Sequence, residues 1–133
     1  MIGGRVLDAS ALTDAATGRT IYARAFIQTA VELGLVLAVP TTALQDAWAA
    51  LPHDDHGSLE LVLGLPVTVV DTLTGDTARA AGTAGAAARG GQYATTPAHV
   101  VHSALTRQWP VLTHQPAPLE AINPQVYIER LPS

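Results

Sequence analysis

Leu35-Val36-Leu37-Ala38-Val39 is an unbroken apolar run, stopped by Pro40. A strand with one solvated face alternates apolar and polar side chains. A continuous run of this length reads instead as a strand covered on both faces, which places it in a parallel sheet. Proline cannot donate to a strand ladder, so the run ends there. Parallel neighbours require long crossovers, usually helical, and the rest of the chain must supply them.

It supplies them in order. A short apolar run, Val6-Leu7, ends in Asp8; Ser10 is placed to cap a helix through Ala16, closed by Thr17-Gly18. Thr20 heads a longer helix, Ile21 to Leu33, whose inner face is expected to carry Ile21, Ala25, Phe26, Thr29, Ala30 and Leu33; Gly34 stops it. After Pro40, Thr41 or Thr42 caps a helix over Ala43 to Leu51 that bears Asp46 and Trp48. Pro52 to Gly57 is a polar loop, Ser58 opens a short helix, and Val67 to Asp71 is a third strand. Thr72 or Thr74 caps an alanine-rich helix from Asp76 to Arg89, ended by Gly90-Gly91. Glycine inside a helix costs about 1 kcal/mol against alanine, so Gly82 and Gly85 point to a close helix contact. Gln92 to Thr95 is a loop. Thr96-Pro97 predicts a cap and a first helical residue, with a helix to Gln108 burying Ala98, Val101, Ala104 and Leu105. Pro110 to Thr113 is a strand, a short helix lies near Pro118 to Ile122, and Gln125 to Leu131 is the last strand.

This alternation predicts an α/β fold, a three-layer α/β/α sandwich with about five mostly parallel strands and right-handed crossovers. Its length fits a single domain over residues 1–133. Only 14% of the residues are charged, so sparse a polar shell that a covering partner, a second copy first, is expected. All seven basic residues are arginine and the net charge is -4, which excludes the basic footprint of tight, sequence-independent nucleic-acid binding. With no cysteine, disulfides are excluded. The start does not resemble a signal peptide and no apolar run approaches the ~20 residues of a membrane span, so a cytoplasmic protein without membrane contact is expected.

Ligands of open α/β sheets bind at the carboxyl edge of the strands, where Asp8 is delivered. From that point the residues resemble a family. Val6-Leu7-Asp8-Ala9-Ser10-Ala11-Leu12, then Leu37-Ala38-Val39-Pro40 with Leu44-Gln45-Asp46-Ala47, then Ala98 to Leu105, then Trp109-Pro110-Val111-Leu112-Thr113, together resemble the PIN-domain family, and within it the ribonuclease toxins of bacterial toxin-antitoxin pairs. The resemblance implies a PIN-like fold, commonly dimeric, with about four acids at the sheet's carboxyl edge holding magnesium or manganese to cut single-stranded RNA. Hard divalent cations take oxygen ligands, and metal-bound water supplies a nucleophile. On this resemblance Asp8 matches the first acid, Ser10 the adjacent hydroxyl residue, and Asp46 the second acid, usually glutamate.

Two positions depart from the pattern. Thr96 or Pro97 stands where the family carries aspartate at a helix start, and Thr113-His114-Gln115 replaces threonine, one residue, aspartate. Two carboxylates repel one another far less than four and need a cation correspondingly less. The expectation is therefore weak or absent binding of magnesium or manganese, nuclease activity lost or strongly attenuated, and a dimeric binding or regulatory module facing RNA, a cognate antitoxin or another protein. The alternative is an active divalent-metal endoribonuclease using Asp8 and Asp46, completed either by His114, since imidazole suits manganese or zinc better than magnesium, or by a metal held jointly with RNA phosphates. Thr113 either orients a phosphate or water or simply caps the strand end. The remaining motifs have plainer readings: His53-Asp54-Asp55-His56 as a solvated turn, His99 and His102 as a partly buried pair or a dimer contact, and Trp48 and Trp109 as packing residues.

Overall fold

A computed structural model describes residues 3–88 and 94–133 of the chain. Five strands, β1 (Gly4–Leu7), β2 (Val36–Pro40), β3 (Thr68–Asp71), β4 (Val111–Thr113) and β5 (Ile128–Arg130), form one sheet in the order β3-β2-β1-β4-β5. Every neighbouring pair is parallel. The helices between them are α1 (Ala9–Thr17), α2 (Tyr22–Leu33), α3 (Thr41–Ala50), α4 (His56–Leu63), α5 (Gly75–Ala86), α6 (Thr95–Arg107) and α7 (Pro116–Ile122), with a 3-10 turn at His53–Asp55. This is the expected α/β sandwich. Right-handed crossovers put α1 to α4 on one face and α5 to α7 on the other. The packing of α1 on α2, α3 and α4, and of α6 on α5 and α7, agrees.

The central strands read as apolar runs because both faces are covered. Val6, Leu37, Ala38, Val39 and Val111 are fully buried, and Val6 pairs with Ala38 on one side and Val111 on the other. The strand order reverses at β1, between β2 and β4. That reversal opens the crevice in which open α/β sheets bind ligands, and it sets the end of β1 against the end of β4. Among the described residues no helix is long and apolar enough to cross a membrane.

Several local expectations need correction. The cap of α1 is Asp8, which accepts from the Ala11 amide, so the helix begins before Ser10. The buried stripe of α2 is Ala23, Ile27 and Ala30; Ile21 and Leu33 lie outside it at 74% and 70% exposure. Thr20 sits two residues before α2, accepts from the Tyr22 amide, and binds Asp14. Neither Thr41 nor Thr42 caps α3: the first accepts from the Leu73 amide and the second pairs with His99. The turn predicted through Gly57 is already helical at His56. Thr74 does cap α5, through the Thr77 amide.

α6 starts at Thr95 after Ala94, with no side-chain cap, which makes Pro97 its third residue. Proline is still compatible there because the first-turn amides have no intrahelical acceptor. Leu105 is exposed, and the buried side instead includes His99, Val100 and Ser103. A β-carbon at Gly82 would meet nothing within 4 Å, so no close contact requires that glycine, whereas Gly85 is buried. The predicted end of this helix at Arg89, Gly90 and Gly91, and the first two residues of the loop from Gln92, lie outside the described residues.

Candidate functional site

An aspartate follows β1, where a strand that feeds a helix needs an acceptor for the helix's first free amides. Asp8 Oδ1 accepts from the Ala11 amide at 2.9 Å and from the Ser10 hydroxyl at 2.7 Å, and Oδ2 accepts from the Thr113 hydroxyl. The two hydroxyls are themselves acceptors. Ser10 takes the His114 amide at 2.9 Å and Thr113 takes the Gln115 amide at 2.8 Å. Asp8 thus holds the turn that follows β4 through two hydroxyl relays. Burial pushes its carboxyl above the usual carboxylate range, and the bonds from Thr113, Ala11 and Ser10 offset only part of that cost.

A cleft of about 120 Å³ opens at this point, lined by Asp8, Ser10, Asp46, Thr96, Pro97 and Gln115 with apolar walls from Val100, Pro118 and Leu119. Asp46 arrives on α3 after β2, Thr96 and Pro97 on the first turn of α6, and Gln115 at the entrance to α7. Residues scattered from position 8 to position 115 therefore meet at the carboxyl edge, and the places marked as departures lie beside the acids. Thr113 reaches this group through Asp8 and does not line the cleft.

His114 goes elsewhere. Its Nε2 lies 2.6 Å from Asp14 Oδ2, in an adjoining cavity of about 410 Å³ that shares Ser10 and Gln115 with the cleft and includes Arg19. Burial by itself would raise the Asp14 carboxyl. The Thr20 hydroxyl and amide and the His114 ring outweigh it and hold the group below its usual range. That anion draws the ring away, so an Asp8–Asp46–His114 centre is not assembled. Neither Asp14 nor Asp71 lines the cleft; Asp71 is engaged by Ser103 and Arg107.

A magnesium ion held here would take Asp8 and Asp46 as its carboxylates. Such an ion is bound through carboxylates and keeps strict octahedral geometry. Here two carboxylates line the cleft, and Asp8 is already bonded to three donors. No group of three or more histidine, cysteine, aspartate or glutamate side chains is placed to hold a metal among the described residues.

The other motifs fall into place around the fold. Trp48 is 39% exposed, more open than a packing residue, and stacks on His56 with ring centroids 3.9 Å apart. His56 also bonds the Trp48 carbonyl. Trp109 does pack against the core. His99 is buried and bonds Thr42, while His102 is half-buried.

Strand order, crossovers and the cleft at the reversal point define a PIN-like domain in fold. No family model matches the sequence, and no curated protein does. Among solved structures the chain is similar to VapBC2 from Rickettsia felis bound to a DNA fragment from their promoter, with a TM-score of 0.72, 9% identity and coverage of 98% of each chain. At that identity the likeness is one of fold, and in fold it bears out the resemblance to PIN-like toxins.

Proposed function

We propose that this chain is a PIN-like binding or regulatory module whose metal-nuclease centre has been dismantled. One observation carries the reading: at the edge where the resemblance implies four acids, Asp8 and Asp46 share the cleft with Thr96, Pro97 and Gln115. Asp8 then serves as an anchor for the turn after β4. Magnesium or manganese binds there weakly if at all, and cleavage of single-stranded RNA is lost or strongly reduced.

The partners of this reading are a second copy and a protein of the antitoxin kind, with RNA as a further binding target. Tyr22, Val31 and Leu33 on α2 and Leu61 on α4 are exposed apolar side chains. Val31 and Leu61 line a cavity of about 450 Å³ whose walls also include Ile27, Val62 and Leu65. Apolar surface of this kind is what a partner covers. The structural neighbour was solved bound to promoter DNA, which supports a regulatory assembly as the setting.

The test is calorimetric titration with magnesium and with manganese, together with cleavage of a mixed-sequence single-stranded RNA in either ion. No saturable heat and no cleavage above that of Asp8→Ala is the expected result. Cleavage that Asp8→Ala abolishes overturns the proposal in favour of an active divalent-metal ribonuclease.

A further inference from the structure

On the α5–α6 side of the sheet, away from the cleft, lies a cavity of about 460 Å³. Its lining includes Asp71, Thr77, His99, His102, Ser103 and Arg107. His99, Ser103 and Arg107 are spaced four apart on α6 and therefore share one face, a polar line on a helix that is otherwise apolar inside.

The arginine is held in a fixed pose. Arg107 Nε donates to Asp71 Oδ2 at 2.9 Å and Nη2 to Oδ1 at 2.6 Å, while its guanidinium lies 4.9 Å from the centre of the Trp109 ring. These contacts engage one edge of the fork, and Nη1 has no bond among the described residues. The Ser103 hydroxyl also donates to Asp71, so three donors occupy both carboxylate oxygens. That bonding compensates the charge of Asp71, the one acidic group in the lining, and equally that of Arg107, so the pair contributes free donors and no net charge.

His99 supplies the second observation. It is 1% exposed, and its Nδ1 is 2.8 Å from the Thr42 hydroxyl, outside the lining. Its Nε2 is the one buried side-chain nitrogen or oxygen without a partner among the described residues. A buried polar atom left unpaired costs about 1–3 kcal/mol, which an occupant of the cavity with an acceptor oxygen removes. Burial lowers the ring's pKa, against the pull of Asp71, and so favours its neutral form. The Thr42 hydroxyl can donate to Nδ1, and in that tautomer the ring proton sits on Nε2 and faces the cavity.

The first turn of α5 also belongs to the wall, through Thr74 and Thr77. The amides of that turn form the positive end of the helix.

We infer that this cavity is a binding site for a small oxyanion, a phosphate or a carboxylate, bound by Arg107 Nη1, the rings of His99 and His102, and the first turn of α5. Both Asp71 oxygens are taken and Arg107 Nη1 is without an acceptor among the described residues, which suits an oxygen anion better than a cation. The site is separate from the cleft and does not rest on the function proposed for it.

The test is a titration of the whole chain, with its histidine rings labelled for NMR, against inorganic phosphate, succinate and, at matched ionic strength, chloride. A saturable shift of the His99 and His102 ring signals with phosphate or succinate is expected, and the two arms separate a phosphate from a carboxylate ligand. His102→Ala, at a half-exposed position, should fold normally and weaken binding about tenfold, equivalent to about 1.4 kcal/mol. Asp46→Ala in the cleft should leave it unchanged. Shifts that follow ionic strength alone, or that survive His102→Ala at full affinity, overturn the assignment.

Discussion

Thr113, the last residue of β4, donates its hydroxyl to Asp8 Oδ2 at the end of β1 and accepts the Gln115 amide at 2.8 Å. One fully buried hydroxyl thus joins two strand ends and a turn. Thr113→Val keeps the shape and removes both bonds, leaving a buried acceptor and a backbone amide unpaired. Loss of about 1–3 kcal/mol in denaturant unfolding is expected, and Thr113→Ser should recover most of it. Equal stability of the valine variant and the parent would show that Asp8 does not anchor the turn through this residue.

Asp8 itself should cost stability at neutral pH. Its folded-state pKa is raised by burial above the ordinary 3.8, so the ionised form is favoured less in the folded than in the unfolded chain. The penalty is absent below the unfolded value, grows as pH rises through the folded one, and is complete above it. Asp8→Asn, which still caps α1, should therefore match or exceed the parent at pH 7. The difference should shrink as pH falls to about 3, measured as unfolding midpoints. A gap that widens on acidification contradicts the burial argument.

Asp71 behaves in the opposite sense. Burial alone would raise its carboxyl, but the bonds from Arg107 and Ser103 hold it below 3.8. Its contribution is fully present above the unfolded value and is lost as pH falls through the folded one. Asp71→Asn should destabilise the chain by about 1–3 kcal/mol at pH 7, and the difference from the parent should vanish in acid. A pH-independent loss would mean that the pair acts through packing alone.

The fold was largely legible because strand and helix patterns in a doubly covered sheet are local. Leu35 to Val39 announced a buried parallel strand, and the alternation then left few topologies. What sequence misplaced were helix starts. Asp8 outcompetes Ser10 as a cap since its oxygen reaches the Ala11 amide, while Thr41 and Thr42 are drawn to Leu73 and His99 by tertiary contacts that no local pattern shows. The cleft was legible in Asp8, Asp46, Thr96 and Gln115 because strand ends are countable. His114 was not, since its position depends on Asp14, an anion fixed by Thr20 from another turn. The second cavity carried an unused signal, the polar residues four apart at His99, Ser103 and Arg107.

Gly82 lies inside α5 with room around it. Gly82→Ala adds a methyl group that meets no neighbour within 4 Å and reduces the backbone entropy lost on folding. A gain of about 0.5–1 kcal/mol in unfolding free energy is expected. A loss would reveal a close contact that this geometry does not contain.

Adding acids at the two positions where the proposed reading takes them to be replaced tests that reading. Thr96→Asp with Gln115→Asp places carboxylates at two positions that line the same cleft as Asp8 and Asp46. Four like charges in so small a space repel, so the double variant without metal should unfold more easily than the parent. Manganese should then reverse that loss, because a ligand that binds only the folded chain stabilises it by about 2.7 kcal/mol at a hundredfold excess over its dissociation constant. The parent, with two carboxylates and an Asp8 already bonded to three donors, should show little or no such shift. Thermal melts of both chains with manganese and with chelator read the difference directly. A double variant that is destabilised yet indifferent to manganese would mean that the cleft geometry, and not the count of acids, separates this chain from a metal nuclease.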